Sequence, residues 1–488
     1  MPLRTVLVPP LPLERFVPVA GREAVDAALV LAHRLQGPAE GRRVWNVNST
    51  AFGGGVAEML RPLLSYARGA GIDARWVVIE GDDAFFRVTK RLHAALHGEG
   101  GDRMRLGQEE RALYERVSRE NAADLLRLVR AGDVVLLHDP QTAGLAPYLL
   151  PARTAVVWRC HVGRDEPNAE SERAWAFLAP YLEKVPLGVF SREAYVPAVF
   201  EGRATVVMPS IDPFSPKNEP LEPRVVRAIL CHVGLITCAR EALGEPVFLR
   251  ADGSPGRVGH YADVLGLGPP PPADAPLVVQ VSRWDALKDP TGVMAGFAHL
   301  LETTPGCEAH LMLAGPNVHA VDDDPDAAAV YQETATRWRA LPHAVRRRVH
   351  LASLPTHDVD ENAAIVNALQ RHATVVVQKS RREGFGLTVA EAMWKRRAVV
   401  ASAVGGLVDQ VVPGETGLLV DDPDDHEAFA RAVGRLLADP PLRERMGESA
   451  HERVRERFLG LRALFQYGGL MERLTPVQDD AERESILH

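Results

Sequence analysis

Short apolar runs alternate with helical-period stretches along most of the chain. Arg43-Val-Trp-Asn-Val-Asn-Ser-Thr-Ala51, Arg75-Trp-Val-Val-Ile-Glu80, Asp133-Val-Val-Leu-Leu-His-Asp139, Thr154-Ala-Val-Val-Trp-Arg-Cys160, Leu187 to Phe190 and Thr205 to Met208 predict one set of buried strands. Leu277 to Ser282, His310 to Gly315, Val349 to Leu354, Thr374 to Lys379, Ala398 to Ala401 and Gly417 to Val420 predict a second. Between them lie amphipathic stretches: Val25, Ala28, Leu29, Ala32 and Leu35 share one helical face after an extended lead-in from Leu13, and a helix opens at Gly53, Gly54 and Gly55. Residues 425–458 and 460–475 read as further helices, and the tail to His488 is polar and frayed. Strands alternating with helices imply βαβ units and parallel sheets, which bind ligands at the strands' carboxyl ends.

Two such sets predict two domains, in keeping with 488 residues. Residues 211–276 read as connecting material with a helical patch near Val225 to Leu235, and the proline-rich run Gly266 to Pro276 as a semi-rigid interdomain linker. The boundary is set at 262/263, with domains 1–262 and 263–465 and a C-terminal helix, about 466–488, packing back on the first domain. Apolar residues make up 46% and charged residues 25%, as in a soluble globular protein, and a net charge of −8 argues against nucleic-acid or anionic-membrane binding. No apolar run approaches the ~20 residues of a membrane span, and Met1-Pro-Leu-Arg-Thr starts no signal peptide. The four cysteines are scattered without a CxxC pair, so a reduced, cytoplasmic chain is expected.

The stretch from Arg381 to Arg397 concentrates candidate chemistry. A strand passes through Glu383-Gly-Phe-Gly386 into a helix, which gathers backbone N–H groups at a helix N-terminus, an anion site. Glu383 and Glu391 flank that point; in a nucleotide-sugar site, one could reach sugar hydroxyls and the other a ribose. The same residues also fit a structural role, since Thr388 to Glu391 has the form of a capping box and Glu383 that of a loop acid. Arg283 and Lys288, just beyond another strand, suit a diphosphate or a pair of surface salt bridges; Asp289 is a candidate N-cap with Pro290 at N1. The Gly53 to Gly55 loop lets a backbone approach a ligand but is neither GxGxxG nor a P-loop. His161, at a strand end, shares a predicted edge with Asn48, Glu80, His138, Asp139 and Gln141. Val404-Gly-Gly-Leu407 supplies another glycine turn, expected near Gly384 and Gly386. The acidic runs Asp322 to Asp326 and Asp421 to Asp425 read as caps and solvated loops, and no grouping has metal spacing.

Two successive α/β domains with these loops resemble the GT-B glycosyltransferases. Glu383 to Glu391 resembles the Glu-x7-Glu motif of the retaining GT4 family, and Ser282 to Pro290 its donor-diphosphate segment. Val47 to Leu60, Trp76 to Gly81 with Phe85-Phe86 and Thr89-Lys90, Trp158-Arg-Cys-His161 and Pro209 to Pro213 resemble the trehalose glycosyltransferring synthase and trehalose phosphorylase branch. The similarity runs from about residue 15 to 470.

The resemblance implies two Rossmann-like doubly wound domains with the active-site cleft between them. Carried over by position, catalytic roles fall to His161, Glu383, Arg283 and Lys288. The donor would meet Gly54, Gly55, Ser282, Arg283, Lys288, Glu383, Gly384, Phe385, Gly386, Leu387, Thr388 and Glu391, the last at the ribose. Acceptor glucose would meet Asn48, Glu80, Lys90 and Gln141. The implied reaction moves glucose, with retention, from ADP-, UDP- or GDP-glucose to glucose to form α,α-trehalose, reversibly, with no metal or cofactor, in a homodimer. Val162-Gly-Arg-Asp165 departs from the family pattern of Ile-Asp and small polar residues, and 228–262 is longer than in compact synthases. Alternatives are a phosphorylase taking free phosphate, a related GT4 enzyme with another small acceptor, and a silent sugar-nucleotide-binding protein.

Overall fold

The computed structural model describes residues 3–36, 42–51, 54–100, 106–238, 244–318 and 325–474. Residues up to Ser210, together with the helix Gly460–Leu474, form one unit; Ile211–Leu459 forms the other.

The N-terminal unit is built on seven strands: β1 (Arg4–Val6), β2 (Arg43–Asn48), β3 (Asp73–Val78), β4 (Val134–His138), β5 (Ala155–Cys160), β6 (Leu187–Phe190) and β7 (Ala204–Val206), in the order β1-β3-β2-β4-β5-β6-β7. All pairings are parallel except the edge strand β1, whose polar Arg4 and Thr5 hid it from the hydrophobic pattern. The lead-in expected to be extended is helical, at Leu13–Phe16 and Val17–Ala20, because Leu13 and Phe16 both turn into the core. Trp45, Val47, Leu137 and Trp158 sit in the core, each burial stabilising by about 1.5–3 kcal/mol. The helix Gly460–Leu474 packs on Arg22–Gln36, where a Cβ at Gly468 would stand 2.6 Å from Leu31 Cδ2.

The second unit carries a hairpin, β8 (Val247–Leu249) with β9 (Pro255–Arg257), and then β10 (Asp263–Leu265), β11 (Leu277–Val281), β12 (His310–Pro316), β13 (Val349–Leu354), β14 (Val375–Gln378), β15 (Val399–Ser402) and β16 (Gly417–Val420). Its main sheet runs β10-β13-β12-β11-β14-β15-β16, parallel but for the edge strand β10. This corrects the boundary. Residues 211–262 belong to the second unit, and the proline-rich segment lies inside it, joining β10 to β11 rather than linking domains. The reason is a polar strap that apolar periodicity cannot report: Asn367 Nδ2 donates to Pro216 O and Glu219 O at 3.0 and 2.9 Å, and Glu361 accepts from the backbone of Gly259 and His260 at 2.8 Å each.

The cysteines also differ from expectation. Cys231 and Cys238 are joined in a disulfide, because the helix Pro223–His232 ends at a turn through Gly234 (φ 82°) that brings their Cα atoms to 6.0 Å. Cys160 and Cys307 are free. Asp425 caps the helix His426–Ala438 through Ala428 N at 2.8 Å, as the cap reading expected; residues 322–324 of the other acidic run lie outside the described residues. Among the described residues no helix is long and apolar enough to cross a membrane.

Candidate active site

Strand order reverses once in each sheet, between β2 and β4 and between β11 and β14. The carboxyl ends of such a pair open a crevice where ligands of open α/β sheets bind. The sequence-predicted residues collect at these two edges, one on each unit.

At the second unit's edge, β11 leads into Ser282, the exposed Arg283 and a 3-10 turn Ala286–Lys288. Lys288 Nζ donates to both Glu383 carboxylate oxygens at 2.7 Å, and Ser380 Oγ donates to Glu383 Oε2 at 3.1 Å. Arg283 reaches Asp285 at 3.1 Å while 57% of its side chain stays exposed, so its fork can turn to an incoming anion. Asp289 caps the helix Pro290–Thr303, accepting from Gly292 N at 3.1 Å, from a left-handed φ of 48°; the buried Lys379 ammonium pairs with it.

Gly386 is the N-cap of the helix Leu387–Trp394, with φ 84° and no capping side chain. A Cβ there would meet Leu407 Cδ2 at 2.7 Å and Glu383 Cγ at 3.1 Å. The helix N-cap therefore lies three residues after Glu383, and the first helical N–H groups, at Leu387 and Thr388, have no intrahelical acceptor. This overturns the capping-box alternative. Glu391 is the fifth helical residue, 2% exposed, with Lys217 Nζ 3.7 Å from its Oε1. Thr388 Oγ1 instead donates to Gln378 Oε1 at 3.2 Å. The glycine turn at Val404 to Leu407 does lie against this loop: Gly406 N donates to Gly384 O at 3.2 Å, and Gln410 Nε2 to the carbonyl of Phe385. Phe385 is buried against Phe458, so its ring props the loop and its backbone lines it.

On the N-terminal unit, β4 ends at His138 and β5 delivers His161. Their rings lie 5.5 Å apart and nearly parallel, with His138 Nδ1 3.2 Å from His161 Nε2 and His138 Nε2 3.1 Å from Asn46 Oδ1. Asp139, at φ 63°, accepts from His161 N at 2.7 Å. Burial, and then the neighbouring Arg159 cation, lower His138 to about 3; the same causes, with His138, hold His161 well below its ordinary value. Both rings are thus neutral at pH 7. Burial raises the Asp139 carboxyl to about 7 against the opposing His161 N–H and Arg159. Arg159 is itself fully buried, donating to Val207 O at 2.6 Å and Ser191 Oγ at 3.3 Å.

The acceptor candidates fare unevenly. Asn48 is 3% exposed and its amide is committed to Trp76 Nε1 (2.8 Å) and Thr50 O (2.6 Å), so it shapes the edge from below. Glu80, half-buried after β3, is fixed through its backbone by Asn121. Gln141 follows β4, and its Oε1 is buried with no partner among the described residues. Lys90 is exposed, two turns into the helix Asp83–Leu96. Gly54 (φ 80°) caps the helix Gly55–Gly69 with open space at its Cβ position; Gly53 lies outside the described residues. In the departing segment, Asp165 pairs with Arg192, and a Cβ at Gly163 would meet the Tyr195 ring at 2.4 Å. The reading placed His138 on this edge without giving it a role, and missed Asn46, Arg159, Gln280 and Gln378. Gln280 ties β11 to the Lys288 carbonyl at 2.9 Å. Their signal was a polar residue near the carboxyl end of an otherwise apolar strand.

Residues 46–197 match the family described as trehalose synthase, N-terminal domain, and residues 269–453 match glycosyl transferases group 1. A trehalose synthase of Pyrococcus horikoshii is 35% identical over 463 residues, 95% of this chain and 96% of that protein. The chain belongs to the trehalose synthase family of group 1 glycosyltransferases. A trehalose phosphorylase of Pleurotus pulmonarius is 25% identical across 91% of this chain, which spans only 58% of that protein. In fold, the chain is similar to an α,α-trehalose-phosphate synthase (UDP-forming) of Burkholderia vietnamiensis, at a TM-score of 0.64 and 15% identity over 89% of this chain and 99% of that one. The two seven-stranded sheets are thus those of a GT-B glycosyltransferase, as expected, and the family's chemistry is trehalose-related glycosyl transfer.

Proposed function

We propose that this protein moves glucose, with retention, from a nucleoside-diphosphate glucose to glucose, forming α,α-trehalose reversibly. The observation that carries the reading is the Lys288–Glu383 pair beside the uncapped helix N-terminus at Gly386, at the β11/β14 switch point. A leaving diphosphate gains negative charge as the glycosidic bond breaks. Arg283, Lys288 and the N–H groups of Leu387 and Thr388 offset it without reorganising, which is where such a site gains most of its rate. Glu383, fixed by Lys288 and Ser380, accepts from hydroxyls of the donor sugar, and Glu391 from the ribose. His161 and its neighbours on the N-terminal unit take the sugar side. Front-side departure and attack then replace the two-carboxylate scheme of glycosidases.

The test is a product assay with ADP-, UDP- or GDP-glucose and free glucose. A non-reducing α,α-disaccharide is expected, and the donor giving it fastest names the base. Glucose 1-phosphate formed instead from trehalose and phosphate would overturn the synthase reading in favour of phosphorolysis. Donor binding without turnover on any acceptor would leave a sugar-nucleotide-binding protein.

A further inference from the structure

His138 and Asn46 have no part in the reading above, yet they form a continuous buried chain ending at His161. His138 is 1% exposed and Asn46 3%. Asn46 otherwise faces apolar side chains, lining with Leu60, Leu64, Leu136 and Met471 a cavity of about 100 Å³. Polar side chains in such surroundings cost stability that leucine or phenylalanine would not, so a stability account leaves them unexplained.

With the Asn46 amide oxygen turned to His138, the geometry has one consistent proton arrangement. Asn46 Oδ1 only accepts, so His138 Nε2, 3.1 Å away, carries the proton. A neutral His138 then has a lone pair at Nδ1, and His161 Nε2, 3.2 Å away, must donate to it. That leaves His161 Nδ1 as the lone-pair nitrogen. The groups around the rings are consistent: Asp139 is occupied by the His161 backbone N–H, and the buried Arg159 cation disfavours a proton on either ring.

We propose that Asn46 and His138 are positioning residues that lock His161 as its Nε2–H tautomer, so that its Nδ1 is kept as an acceptor for a sugar hydroxyl; the last step rests on the sugar-site reading of His161. The arrangement is the one by which a buried partner fixes a catalytic imidazole elsewhere.

Two measurements on the full chain test it separately from the function. Selective 15N-histidine labelling of the wild type, with His138→Gln and His161→Ala assigning the two rings, reads the tautomers directly. Both rings are expected as Nε2–H and neutral through the neutral pH range; a His161 Nδ1–H tautomer, or titration of either ring there, overturns the proposal. Kinetics then read its consequence. Asn46→Leu has the cavity to grow into and is expected to keep the thermal midpoint within a few degrees, while kcat falls about ten- to a hundredfold and KM for the donor barely moves. His138→Phe is expected to lose as much, with His138→Gln, whose amide oxygen still accepts, recovering most of it. Wild-type kcat in both Asn46→Leu and His138→Phe would also overturn the proposal. Absence of any disaccharide from the wild type would instead refute the functional reading and leave the tautomer result standing.

Discussion

Lys288→Met in the second unit takes from the Glu383 carboxylate, 9% exposed, the ammonium that donates to both its oxygens. At an effective dielectric of ~20 and a charge separation of ~4 Å, the lost attraction is about 4 kcal/mol, from which the cost of desolvating both groups is subtracted. A net destabilisation of about 3 kcal/mol is expected. Glu383→Gln is milder, about 1–2 kcal/mol, because the Lys288 ammonium, 17% exposed, still reaches water. The double substitution removes both charges and avoids the stranded carboxylate, so it should cost about 2–3 kcal/mol less than the sum of the singles. Urea unfolding of the four proteins measures this coupling from the midpoints, provided the slope is unchanged. Turnover should behave oppositely. Each single variant is expected to lose at least about a hundredfold in kcat, and the double variant should recover none of it, because the phosphate cation and the sugar acceptor are then both gone. Additive stabilities would refute the claim that the two groups hold each other. Recovered turnover in the double variant would refute their separate roles at the donor.

Gly406→Ala places a Cβ 2.6 Å from Phe385 Cα and 2.8 Å from Gly384 O. Backbone atoms cannot swing aside, so the Glu383 loop must shift and kcat should fall about a hundredfold, read from initial rates. Gly54→Ala meets open space but a φ of 80°, so its stability cost should be only about 1–2 kcal/mol by urea midpoint. Acid should destabilise the protein through its histidines. His138 and His350 have folded values of about 3 and 4, both below the unfolded value, so each contributes stability that is present above pH 6.5 and lost as pH falls towards the folded value. Between pH 7 and about pH 5 each loses about 2 kcal/mol. Asp139, raised to about 7, moves the other way by a similar amount, so Asp139→Asn should steepen the fall of the N-terminal unit by about 2 kcal/mol. A shallower slope in that variant would contradict the burial argument.

The two sheets were legible because parallel strands buried on both faces are near-continuous apolar runs, and the runs at Val278 and Val376 leave no other reading. The edge strands β1 and β10 were not, since each is only three residues long, too short to show a pattern, and is held by antiparallel pairing to a neighbour far off in sequence. The same limit displaced the domain boundary: Asn367, Arg371 and Glu361 claim residues 211–262 by hydrogen bonds, a contribution that no hydrophobic period carries. At the second unit's edge Glu383, Lys288 and Arg283 stood out as candidates because loop charges after a strand are conspicuous. The residues that hold the N-terminal unit's edge in place are inside strands, where an apolar run gives them no role of their own. Asn46, His138 and Arg159 each interrupt a buried strand near its carboxyl end, as Gln280 and Gln378 do in the second sheet. A polar side chain at that position forfeits core packing and must find partners in the interior. In both sheets those partners are the loops that carry the candidate chemistry: Gln280 holds the Lys288 turn, Gln378 the Thr388 hydroxyl, and His138 the ring of His161. The interruption of the apolar pattern is therefore itself a mark of the candidate site, and it points to the groups that hold the candidate side chains rather than to those side chains themselves.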